Sequence, residues 1–363
     1  MSKGKVVVGM SGGVDSSVAA YLLKKEGYEV VGVTMQIWQD EDSLVQEEEG
    51  GCCGLSAVDD ARRVADMLEI PYYVMNFKND FKENVIDYFV DEYKNGRTPN
   101  PCIACNRYVK WESLLTRSLG IGADYIATGH YAQIEHLPNG RYAIRNSATP
   151  LKDQTYALYN LTQEQLKNTI MPVGQYTKDE IRKIAEDIGL QIANKPDSQD
   201  ICFVPDGDYA SFIDDIMLEN NEEKLPEGNF VTSTGEVVGK HKGITHYTVG
   251  QRRGLGLSMG YPTFVIEIRP KTNEIVIGPM DESMTMTVKA NRLNFMSVED
   301  IIEPIRVLTK IRYNHKGAWC TVERTGEDEV TCTFDEAQRA VTPGQALVFY
   351  DGPYVLGGGT III

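Results

Sequence analysis

The chain has 363 residues, 42% of them hydrophobic and 24% charged, which is enough for two or three domains with real cores and excludes a disordered or fibrous protein. A formal net charge of -16 argues against non-specific coating of nucleic acid, because each neutralised phosphate needs a nearby Lys or Arg, but it leaves room for a localised basic patch. No apolar run reaches membrane-helix length, the N-terminus lacks the build of a secretory signal, and the seven Cys are not spaced as a disulfide framework; we expect a cytoplasmic protein with no membrane partner whose cysteines are reactive thiols or metal ligands.

The first predicted strand, Lys5 to Met10, runs into a glycine-rich turn and then a helix starting near Val18. Gly9, Met10, Ser11, Gly12, Gly13, Val14, Asp15 and Ser16 read as a phosphate cradle. Two glycines let the backbone approach an anion, hydroxyls add donors, and the helix start contributes unpaired N–H groups. The turn has no Lys, so it is not a Walker loop. Ser-Gly-Gly-Val-Asp-Ser resembles the signature of the pyrophosphate-loop ATPases, which split ATP between its α- and β-phosphates; that resemblance implies ATP with magnesium, the latter held in part by Asp15.

Further strands are expected at Val30 to Met35, Tyr72 to Asn76 and Tyr125 to Ala127, alternating with helices whose apolar faces carry Val58, Ala61, Val64, Ala65 and Leu68, and Val85, Ile86, Phe89, Val90 and Tyr93. That alternation predicts an α/β, doubly wound parallel sheet with ligands at the carboxyl ends of its strands, where Met35 and Gly129 fall. Gln39 to Gly54, acidic and containing Cys52 and Cys53, reads as a mobile surface excursion with spare thiols. The loop from Arg97 to Arg107 holds two prolines and is expected to stay non-helical until Asn106 caps a helix. Cys105 would then lie just before a helix N-terminus, which favours a thiolate. Its C-x-x-C with Cys102 serves redox pairs, zinc and iron–sulfur ligation alike, and the second C-x-x-C of a zinc ribbon does not occur.

A hairpin follows around Pro138-Asn139-Gly140, and Thr177 to Glu180 reads as a capping box opening a helix that Gly189 closes. Cys202 sits in a polar loop. A break near Pro205 to Gly207 ends the first domain, 1–205; 206–281 and 282–363 follow, the last a small all-β barrel domain. In the stretch Arg306 to Tyr313, strict alternation would put Arg306, Lys310 and Arg312 on one face and Val307, Ile311 and Tyr313 on the other, a candidate phosphate-contacting surface.

With these pieces in order the chain resembles the tRNA-specific 2-thiouridylases, the MnmA/TrmU family, over essentially its whole length. The matching segments are Gly9 to Ser16, Thr98 to Pro101 with Cys105-Asn106, Ala127 to Tyr131, Lys152 to Gln154, Ser198 to Phe203, Gly250 to Gly256 and Ala340 to Gln345. The resemblance implies adenylation of the wobble uridine's C2 oxygen and its replacement by sulfur, with Cys202 carrying a persulfide, Cys105 acting as nucleophile and a transient disulfide between them. It implies that Asn100, Pro101 and Cys102 hold the target base, and that His130, Lys152, Asp153, Gln154, Arg312, Tyr313 and Gln345 touch the tRNA. The expected partners are glutamate, lysine and glutamine tRNAs and a cysteine desulfurase or sulfur-relay protein. One departure stands out: many members carry Asp where this chain has Cys102. The resulting set Cys102, Cys105 and Cys202 opens an alternative in which an iron–sulfur cluster holds the sulfide. The rivals are another adenylating ligase of the superfamily, which would need neither Cys105 nor Cys202, and a non-catalytic tRNA-binding protein, against which the intact phosphate loop counts.

Overall fold

The structure is a computed structural model describing residues 2–37, 55–192, 201–204 and 207–362. The predicted acidic excursion with Cys52 and Cys53, and the stretch 194–200, lie outside the described residues. The chain forms two compact units, one of Met1–Val85, Cys102–Pro205 and Pro353–Val355, the other of Ile86–Pro101, Asp206–Gly352 and Leu356–Ile363.

The first unit is built on a parallel sheet of β1 (Lys5–Gly9), β2 (Glu29–Gln36), β3 (Tyr72–Asn76), β4 (Tyr125–Ala127) and β7 (Thr169–Ile170), with β5 (Gln133–His136) and β6 (Tyr142–Arg145) forming the predicted hairpin. Strand order is β3-β2-β1-β4-β7, so the chain reverses direction across the sheet between β1 and β4. Val6, Val7 and Val8 are all fully buried because helices cover both faces, and for that reason the strand reads as a continuous apolar run. Burying each such side chain contributes about 1.5–3 kcal/mol. Helices α1 (Val14–Lys25) and α2 (Leu55–Met67) follow β1 and β2, and α3 (Lys178–Asp187) packs its Ile181 and Ala185 into the same core as Val18, Leu22 and Ala61. Thr177 caps α3 through the predicted box with Glu180. The two-residue β7 was not predicted; it is too short to carry a periodicity.

Helix begins earlier than expected in the proline loop. Pro101–Ala104 is already helical and continues into the π-helical stretch Cys105–Leu114 and then Leu115–Gly120. Pro101 takes the first helical position, where its missing N–H costs nothing. Asn106 is therefore not a cap but a buried residue, and Cys105 lies a turn inside the helix.

In the second unit, α4 (Tyr209–Glu219), capped by Asp208, precedes a four-stranded sheet in the order β10-β11-β8-β9, formed by β8 (Gly228–Val231), β9 (Val237–His241), β10 (Phe264–Arg269) and β11 (Glu274–Gly278). Then β12 (Met284–Phe295), β13 (Ile305–Lys310), β14 (Ala318–Gly326), β15 (Glu329–Arg339), β16 (Ala346–Asp351) and β17 (Tyr354–Ile361) form a six-strand barrel that β12 and β17 close. Alternate residues fill it, among them Val307, Cys320, Val322, Cys332 and Phe334. The reading of all cysteines as reactive or ligating does not hold for Cys320 and Cys332. Both are fully buried packing groups, Cys320 with its sulfur 3.0 Å from the Thr309 hydroxyl, and burial pushes the Cys332 thiol well up. Strand β13 ends at Lys310, so the alternation stops there and Tyr313 is 41% exposed rather than inward with Val307.

Candidate active site

The turn after β1 has the form expected of a cradle. Gly12 takes a φ of +68°, and a Cβ there would lie 2.4 Å from the Ala57 carbonyl oxygen of α2, so only glycine fits. Gly13 precedes α1 in extended backbone and accepts from the hydroxyls of Ser16 (3.2 Å) and Ser17 (2.9 Å). Ser17 is fully buried, leaving Ser11 and Gly13, both half-buried, as the open face of the turn. Met10 is buried core: its carbonyl accepts from Thr34 at 2.7 Å and a Cβ on Gly32 would meet its sulfur at 2.6 Å. Its role is to fix the exit of β1, with Val14, also buried, doing the same for α1. Met35 stands half-buried at the end of β2. Gly129, at the end of β4, lies where a Cβ would meet the Ser16 backbone nitrogen at 2.6 Å, so its lack of a side chain lets β4 press against the start of α1.

Asp15 lies at the centre of a polar network. Its Oδ1 accepts from the Tyr131 hydroxyl at 2.6 Å, and Lys178 Nζ, at the first position of α3, lies 2.8 and 3.0 Å from its two oxygens. Tyr131 is itself held by Gln154, whose side-chain oxygen accepts from the Tyr131 backbone N–H at 2.9 Å while the Gln154 N–H donates to the Tyr131 carbonyl at 3.0 Å. Asp153 accepts from Ser147 N–H at 2.8 Å and from Thr155, stapling its own turn. Gln154 thus supports Tyr131 beside the cradle, Asp153 orders its own turn, and Lys152 stands half-buried next to them. Lys178 escaped the sequence reading because it sits within the capping box. The available signal was a cation at a helix N-terminus, where the dipole disfavours one.

The first unit also carries Cys102, which is exposed, and Cys105 and Cys202, which are half-buried. Phe203, next to Cys202, is buried edge-on against Phe81 with ring centroids 5.8 Å apart. Asn106 donates to the Ala157 carbonyl at 2.9 Å and accepts from Lys110 at 2.9 Å, which fixes the helix face next to Cys105. His130 packs on buried Trp111 at 5.4 Å between ring centroids, its Nδ1 2.7 Å from the Thr128 hydroxyl. Lost hydration, with the Lys110 ammonium adding to it, pushes the His130 pKa well below the ordinary histidine value, so the ring is neutral at pH 7. Among the described residues no three His, Cys, Asp or Glu side chains gather as a metal site requires. Cys102, Cys105 and Cys202 are not among such groups, and the iron–sulfur alternative is not favoured.

In the second unit the residues before Cys102 are clamped. Gln345 Nε2 donates to the carbonyls of Thr98 (2.8 Å) and Pro99 (3.3 Å), and Thr98 N–H donates to Pro343 O at 2.8 Å. Buried Glu92 receives Arg97 in a two-point ion pair at 2.7 and 2.5 Å. Gln345, expected at the tRNA, thus supports the loop leading to Asn100 and Pro101. Arg312 is half-buried and donates to Arg339 O at 3.3 Å.

Three family models match the chain: a tRNA methyl transferase HUP domain at residues 4–206, a tRNA methyl transferase PRC-barrel domain at 215–279 and an aminomethyltransferase β-barrel domain at 285–361. Among curated relatives, the tRNA-specific 2-thiouridylase MnmA of Lachnoclostridium phytofermentans is 67% identical over 358 residues, covering 99% of each chain. The proteins of the same name from Clostridioides difficile and Clostridium perfringens are 55% and 56% identical, over 98% and 99% of each chain. The methyltransferase wording of the models and the thiouridylase names of the relatives describe one lineage, and identities above one half along the full length give the relatives' names the greater weight.

Proposed function

The chain belongs to the tRNA-specific 2-thiouridylase family, and from that premise we propose that it converts the wobble uridine of tRNA to 2-thiouridine at the expense of ATP. What carries the reading is likeness along the whole chain, joined to a lysine-free phosphate loop in the same compact unit as Cys105 and Cys202. The cradle fits a triphosphate: Gly12 makes the tight turn against Ala57, Gly13 leaves the face of the turn open and Ser11 offers a hydroxyl. Magnesium would arrive with the triphosphate, Asp15 being the carboxylate at hand to hold it; when bound it would neutralise phosphate charge.

The uridine C2 oxygen attacks the α-phosphorus, the bond to the β-phosphate breaks and pyrophosphate leaves. Cys105 thiolate attacks the Cys202 persulfide, giving a disulfide and hydrosulfide. Hydrosulfide adds at C2 and AMP departs, leaving C2=S. The sulfane sulfur gains the two electrons that the cysteines lose, so a dithiol must reset the enzyme. Asn100, Pro101 and Cys102 are proposed to hold the flipped base, with His130, Lys152, Arg312 and Tyr313 against the RNA. We further propose 1–205 as the adenylating and thiolating domain, 206–281 as a central tRNA-binding domain and 282–363 as the barrel domain, acting in the cytoplasm on glutamate, lysine and glutamine tRNAs with sulfur from a desulfurase or relay protein.

The test is mass-spectrometric nucleoside analysis of unmodified tRNA incubated anaerobically with the protein, ATP, magnesium and a persulfide donor. We expect 2-thiouridine at the wobble position alone. AMP formation without thiolated nucleoside would overturn the thiolation reading while sparing the adenylation step.

A further inference from the structure

We propose that Lys178 is the cation that the phosphate loop itself lacks, and that it binds the β- and γ-phosphates of ATP. The inference rests on reading the loop as an ATP site. A triphosphate brings several negative charges to a turn whose residues, from Gly9 to Ser17, include Asp15 but no Lys or Arg. The fold supplies a cation from 163 residues further along the chain, bringing Lys178 Nζ to 2.8 and 3.0 Å from the Asp15 carboxylate in the first turn of α1.

Three observations argue that this ammonium is more than a structural tie. Its side chain is only 9% exposed, and burying an ammonium is costly unless another group compensates it. It occupies the first position of α3, where the helix dipole opposes a cation, although the cap there is otherwise complete in Thr177 and Glu180. Its partner Asp15 is 28% exposed and lies two residues beyond Gly13, so the pair borders the open side of the cradle rather than a sealed core. The Tyr131 hydroxyl, fixed through Gln154, holds Asp15 from another direction and so fixes where the ammonium sits.

Without nucleotide, Asp15 holds the ammonium in place. With ATP, the Lys178 ammonium turns N–H donors toward the outer phosphates. As the bond between the α-phosphorus and the β-phosphate oxygen breaks, its electron pair goes to pyrophosphate, where Lys178 stabilises the gathering charge. Lys178 is thus a catalytic residue for the adenylation step, supplied by α3 instead of by the loop.

Calorimetric titration of the full chain with ATP, AMP and inorganic pyrophosphate tests this without relying on turnover. Loss of a charge-assisted contact predicts that K178M weakens ATP and pyrophosphate roughly tenfold to a hundredfold while AMP stays within about threefold, with K178R between the two. An unchanged ratio of ATP to AMP affinity in K178M overturns the role of Lys178 and leaves the ATP reading intact. Wild-type protein that binds neither nucleotide overturns both. Should K178M fail to fold because Asp15 loses its partner, wild-type protein decides. A pyridoxal-tagged adenosine triphosphate, reduced onto lysine with borohydride and mapped by peptide mass spectrometry, is expected on Lys178 and blocked by ATP. Labelling confined to other lysines overturns the proposal.

Discussion

Gln345 donates its side-chain amide to the Thr98 carbonyl at 2.8 Å, tying a residue just before β16 to the loop that runs into Asn100 and Pro101. This contact makes Gln345 a positioning residue for that loop. Q345A should lower the single-turnover rate of thiolation on the order of tenfold, since small displacements of reacting groups are costly, while tRNA affinity by filter binding changes little. The reverse pattern, weakened tRNA binding with an unchanged rate, would make Gln345 a direct RNA contact.

Arg97 and Glu92 support the same loop by a different interaction. Glu92 is 4% exposed, so R97A strands a buried carboxylate and is expected to cost about 2–4 kcal/mol in urea unfolding, discounted for the partial exposure of Arg97. The double variant E92Q/R97M should recover part of that loss. If R97A alone is neutral, the pair does not hold the loop.

Gly12 tolerates no side chain. G12A combines a positive φ with a clash against Ala57, and should destabilise the protein by about 1–3 kcal/mol and abolish ATP binding in the fraction that folds. Wild-type affinity for ATP in G12A would show that the turn is not the cradle.

His130 gives the pH dependence. Its folded pKa lies well below the ordinary value near 6.5, so the unfolded chain binds the proton more readily. Stability is therefore complete above about pH 6.5 and declines as pH falls from there toward the folded pKa. Burial lowers His241 and His315 as well, and they act with the same sign. The specific check is NMR: the ring signal that disappears in H130Q should stay in its neutral position down to pH 6, whereas a midpoint near 6.5 would refute the assignment.

The three cysteines of the first unit should behave differently from one another. C105S and C202S are expected to abolish 2-thiouridine formation while sparing ATP binding, and C102S to retain most activity, because the proposed thiol exchange uses Cys105 and Cys202 alone. Equal loss in all three, with iron in anaerobically purified protein, would revive the cluster.

Much of the molecule was legible from the sequence because it rests on local chemistry. Val6 to Val8 followed by two glycines specifies strand and turn wherever the rest of the chain goes. Thr177 with Glu180 announces a helix start, and the alternating segments announce a parallel sheet. Interactions between distant residues were not legible. Nothing in the spacing joins Lys178 to Asp15 or Gln345 to Thr98, since each pair is set by how whole elements pack. The local reading of Asn106 as a cap failed because Pro101, equally able to open a helix, does so first, and burial then turned Asn106 to Ala157 and Lys110. Local propensity therefore determined which elements form, while the surface hidden when those elements pack decided which charges and amides had to find one another.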